Sequence, residues 1–151
     1  MTTMTSQVAA VLMAYRQMLG LRAGLSGVRV YALPQRAEDL GREFVVLAAE
    51  VSGEQSFPLL GTQIKDEEFF LNGTIGVLLA GTGDDVALAA LTRALAIYGE
   101  IEDAVRTDPQ IGGTARVAQL TEFRHSQGAA DAGRYHEMAF TTRVQTRLTS
   151  R

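Results

Sequence analysis

His125 and His136 are the only imidazoles in a chain of 151 residues that contains no cysteine. A thiolate nucleophile, a thiolate zinc or iron–sulfur site and a disulfide framework are therefore excluded. The two histidines flank one glycine- and alanine-rich stretch, Ser126–Gly133, so a hairpin there would let them approach each other. Glu122 or Asp131 could then complete a metal set of imidazole and carboxylate. On that basis an alternative reading of the chain is a small ligand- or metal-binding, or hydrolase-like, domain using the His125–His136 hairpin. Two scattered polar residues at a hairpin mouth account for the same pair, and a two-histidine signal is weak.

Other chemistry is thinner. Gly81-Thr-Gly-Asp-Asp85 at a helix start resembles a phosphate loop, but two carboxylates there would repel an anion, and the Lys-Ser/Thr pair of such loops is missing. Capping is the better use of Thr82, Asp84 and Asp85. No Gly-x-Ser-x-Gly elbow occurs, which leaves a serine triad without its turn. The acidic runs Asp66-Glu67-Glu68 and Glu100-Ile-Glu-Asp103 lack calcium-loop spacing and read as solvated faces or subunit contacts. Arg143 and Arg147, with Arg116 and Arg124 on the preceding strand, could face DNA or pair with the acidic part of a neighbouring copy; the charge distribution favours pairing. No cofactor is implied.

These residues sit on a simple succession of elements. Val8, Val11, Leu12, Tyr15, Met18 and Leu19 fall three and four apart, which predicts an amphipathic helix from a Ser6 cap to Gly20. Val28–Leu33 reads as a short strand. Glu43–Val51, apolar on both alternating faces, reads as a strand covered on both sides. Ser52–Asp66 is a strand straying into a long loop, with Phe57, Leu60 and Ile64 as apolar anchors in a polar setting. Asn72-Gly73 is a hairpin signal, yet one kinked strand through it completes the sheet better. Leu88, Leu91, Leu95, Tyr98, Ile101 and Val105 then mark a long helix with Leu95 at the centre of its apolar stripe, ended by Asp108-Pro109. Two strands follow, Thr114 to about His125 and Tyr135–Leu148, the second alternating His136, Met138, Phe140, Thr142 and Val144 with polar residues.

The order α-β-β-β-α-β-β predicts an α+β fold, one mostly antiparallel sheet with two packed helices, as a single domain over residues 1–151. With 46% hydrophobic and 21% charged residues the composition is that of an ordinary globular chain. No apolar run is long enough to span a bilayer, and the first residues do not resemble a secretory leader, so a protein kept in a cytoplasm is expected. The net charge of −3 is uneven: eight basic and fourteen acidic side chains precede residue 112, six and three follow it. Such a chain can attract its own copies and lacks the concentrated basic footprint of a nucleic-acid reader.

The passage Gly83–Gly113, whose helix ends in EIEDAVRTDPQIGG, and the closing strand RYHEMAFTTRVQTRL resemble the tail terminator proteins of long-tailed bacteriophages. The first helix and the strands from Val28 to Val51 agree with that family in order and length only. The resemblance implies a structural virion protein, assembled in a host cytoplasm. It implies a hexameric ring that caps the tail tube, stops its polymerisation, and contacts the major tail tube protein and the head-completion protein. DNA would pass through the lumen without sequence-specific binding, and no membrane partner or catalytic residue is implied. One lysine beside thirteen arginines suggests a phage of a GC-rich host. A ring requires unlike patches on successive copies. The residues offered to such contacts are Phe57, Leu60, Ile64, Arg143 and Arg147.

Overall fold

A computed structural model describes residues 6–56, 64–130 and 133–149. Its elements are α1 (Val8–Gly20), β1 (Arg29–Tyr31), β2 (Glu43–Ser56), β3 (Ile64–Leu79), α2 (Asp84–Thr107), β4 (Val117–Ala130) and β5 (Gly133–Thr149), with short 3-10 turns at Ala23–Leu25 and Ala37–Asp39. The expected α-β-β-β-α-β-β order and α+β class hold. All five strands form one sheet in the order β1-β2-β3-β5-β4. β1 runs parallel to β2, and the other three pairings are antiparallel.

Both helices cover one face. Tyr15 of α1 meets Thr142 of β5 through their hydroxyls at 3.0 Å, and Tyr98 of α2 meets Phe140 of β5 edge-on at 6.4 Å. Thr142 and Phe140 are two apart on one strand, so they point to the same side. That side carries Phe69, Leu71, Ile75 and Val77 of β3 and Met138 and Val144 of β5, all buried. Removing a side chain of this size from water stabilises by about 1.5–3 kcal/mol. Among the described residues no helix lies on the opposite face of the sheet.

The helix register differs from the sequence expectation. The buried side of α2 is Ala90, Ala94, Ile97, Ile101, Ala104 and Val105, while Leu88 and Leu95 are 53% and 45% exposed. Alanines let the helix axis approach the sheet closely, so the small stripe faces inward and the larger leucines are turned aside. The caps differ too. Gly83, at φ 101°, is the residue before α2, and no side chain caps that end. At α1 the cap position falls to Gln7, while Ser6 Oγ still accepts the Val8 N–H at 3.2 Å. Beyond α2, Asp108 Oδ2 accepts the Gly112 N–H at 2.8 Å, and the buried Ile111 is held at φ 46°, a strained conformation for a β-branched residue.

β2 is covered on both sides only from Phe44 to Ala48; from Ala49 onward it is exposed. A Cβ on Gly76 would lie 2.2 Å from the Phe44 ring, so this glycine lets the ring lie across β3 on the helix-free face. β3 passes straight through Asn72-Gly73 as one strand. The irregularity lies opposite, where β2 bulges between Val46 and Glu50. The two expected loops are shorter than the sequence suggested, because β2 reaches Ser56, β3 begins at Ile64, and β4 and β5 pair as far as Ala130 and Gly133. Backbone pairing to a long partner strand carries these glycine- and alanine-rich stretches into the sheet despite their low strand propensity.

Candidate interaction surface

The helix-free face is a ladder of charges laid down by register. β3 and β5 place Asp66 opposite Arg147, and Phe70 opposite Arg143 one position pair from Glu68. Arg147 Nε donates to Asp66 Oδ1 at 2.7 Å, and Arg143 Nη2 donates to Glu68 Oε2 at 2.9 Å, which Gln145 also reaches at 3.0 Å. These arginines hold the Asp66 and Glu68 carboxyls below their ordinary range. Next in the row, Thr141 Oγ1 donates to Asn72 Oδ1 at 2.9 Å. Arg143 and Arg147 thus come together on one surface, each already paired within its own chain. Such exposed pairs contribute little to stability, but they fix the side chains that the face presents. Ile64 opens β3 opposite Thr149, well along the strand from Arg143. Phe57 and Leu60 lie outside the described residues.

The acid between those two behaves differently. Glu67 alternates onto the helix face and is buried. Burial by itself would raise its pKa, but Gln55 Nε2 at 2.6 Å, the Gln7 N–H at 2.9 Å, and the hydroxyls of Ser6 and Thr146 outweigh it and hold the group ionised. A solvated face or a subunit contact was expected for the whole Asp66–Glu68 run; instead its middle residue supplies the missing cap of α1. The second acidic run is also consumed internally. Glu100 and Asp103 bind Arg22 at 2.9 and 2.7 Å, and Glu102 pairs with Arg106.

The two histidines do meet. His125 Nδ1 lies 2.8 Å from His136 Nε2, one donating and the other accepting, with Phe123 edge-on to the His125 ring at 5.3 Å. His136 is buried with its Nδ1 unpartnered, and burial, then the neighbouring imidazole, lower its pKa. Among the described residues no group of three or more metal-ligating side chains forms. Glu122 leans instead over Thr141, 3.5 Å away, and Asp131 lies outside the described residues.

Sequence reasoning missed the flank of α2 above β4. Leu88, Leu91 and Leu95 recur at three and four on the side of the helix that also carries Tyr98, whose ring lies 5.6 Å from Phe123 of β4. Phe123 is itself 56% exposed. The signal was present as two competing apolar stripes on α2, one of leucines and one of alanines and isoleucines.

Among the described residues no helix is long and apolar enough to cross a membrane. No family model matches the chain, and no curated protein matches it. Among solved structures, a chain from the "Virion of native gene transfer agent (GTA) particle" matches with a TM-score of 0.54 and 15% identity, over 97% of this chain and 100% of that one. What the two share is the fold, nearly end to end.

Proposed function

We propose that this chain is a virion assembly protein of the tail-terminator kind: a hexameric ring that caps a tail tube, ends its polymerisation and presents its other side to the head-completion protein. The observation that carries this is the full-length fold likeness to a chain of a virion particle, in a sequence whose long helix and closing strand already resemble tail terminators. The chemistry of the surface supports a scaffold. Glu100, Glu68 and Asp66 are spent on arginines of the same chain. DNA would traverse the lumen unread, since Arg143 and Arg147 of the open face are neutralised where they stand. Localisation is then the tail or neck of the virion.

Native mass spectrometry of the purified chain tests the assembly half of the proposal. A closed hexamer is the expected species. A protein that stays monomeric or dimeric at every concentration, and carries a stoichiometric metal or ligand, would replace this function with a binding or hydrolase-like one at the His125–His136 pair.

A further inference from the structure

Besides the three-residue β1, two longer stretches of the sheet are paired on one side only among the described residues. β1 covers β2 at Phe44–Val46, with one further bond from the Ala48 N–H to Ala32, which leaves Glu50–Ser56 as a free edge among the described residues. At the far side β4 is an edge throughout its fourteen residues, with no proline or lysine to blunt it. A long free edge of this kind is a template for another strand.

From these edges we infer that copies of this chain join head to tail, the β4 edge of one taking the Glu50–Ser56 edge of the next, with the α2 leucines closing over the seam. The inference rests on the ring proposed above and assigns its interface.

Direction, face and charge agree. β2 and β5 run the same way and β4 runs opposite, so a β2 edge laid beside β4 in a continued sheet is antiparallel. Register then decides which side chains share a face. Glu50 pairs with Asn72 and Glu54 with Glu68, while Arg124 pairs with Ala139, itself opposite Thr74. All three therefore point to the helix-free face. Among the described residues none of them has a hydrogen bond or ion pair, although most of the neighbouring charges do. On the helix face the seam would instead bring the 39% exposed Val51 to Phe123 and Leu95. A two-fold contact is disfavoured, since β2 against β2 would set Glu50 and Glu54 against themselves, and β4 against β4 would do the same to Arg124. Unlike edges that complement each other generate a ring when the rotation closes.

The test uses Glu50→Arg, Arg124→Glu and Leu95→Glu in the full chain, followed by sedimentation across concentration. All three side chains are exposed, so melting curves of the variants should match wild type and certify folding. Each charge variant alone should need at least about tenfold more protein to assemble, because like charges then face each other. An equimolar mixture of Glu50→Arg and Arg124→Glu should reassemble, since each supplies the edge that the other has lost. Leu95→Glu should weaken assembly in every mixture. A wild-type ring that all three variants leave intact, or a mixture that stays apart, overturns the edge assignment while the ring survives. A wild-type chain that never assembles removes both.

Discussion

Glu67 Oε1 accepts the backbone N–H of Gln7 at 2.9 Å, so a carboxylate near the start of β3 closes the first turn of α1. The same group holds Gln55 of β2 and Thr146 of β5, and so ties three strands to one helix end. Its folded pKa lies below the ordinary value of 4.5. The sign follows: between the two pKa values the unfolded chain binds the proton and the folded one does not, so this contribution is complete above about pH 4.5 and is lost as pH falls through the lowered value. Glu67→Gln should flatten the acid limb of a plot of urea midpoint against pH. Glu67→Ala should cost about 1–3 kcal/mol at pH 7, because the part-buried Gln7 and Gln55 donors and the buried Thr146 hydroxyl lose their acceptor. A variant with the wild-type acid profile would show that the carboxylate is not what anchors α1.

The register of α2 gives a paired prediction. Ile97 is fully buried, and Ile97→Ala should cost about 2–5 kcal/mol. Leu95→Ala, on the exposed flank, should stay within about 0.5 kcal/mol of wild type. Chemical denaturation of the two variants side by side checks it; equal losses would mean that the helix is turned the other way.

That contrast also marks how far the sequence could be read. The alternation of β5 was legible because one face is covered and the other is not, and Met138, Phe140, Thr142 and Val144 are buried as their spacing requires. α2 was not, because side-chain size points to the leucines whereas close approach to a sheet selects the alanines. Glu67 was missed by treating an acidic triplet as one surface, although it lies in phase with Phe69, Leu71 and Ile75. The meeting of His125 and His136 was legible from their shared hairpin, and the burial of His136 was not. Arg143 and Arg147 were singled out by sign, but their partners Glu68 and Asp66 depend on a strand register that composition does not contain.

His136 gives a second pH dependence. Burial, then His125, lowers its pKa below 6.5, so the unfolded chain takes up the proton first and stability declines as pH drops below about 6.5, until the folded imidazole also titrates. His136→Gln should remove that slope below about pH 6.5 in thermal melts. A slope of the same size in the variant would assign it elsewhere.

Phe57 and Leu60 remain the proposed tube contacts on sequence grounds, as apolar anchors in a polar stretch. Phe57→Ala is expected to keep the ring, by native mass spectrometry, and to weaken capping of the tube. Undiminished capping would move the contact to another surface.

The most direct measurement of the central claim is tube length. Purified chain added to polymerising tail-tube subunits should arrest extension, giving short tubes with a ring at one end in electron micrographs. Tubes that grow without limit in the presence of excess ring would contradict the terminator assignment.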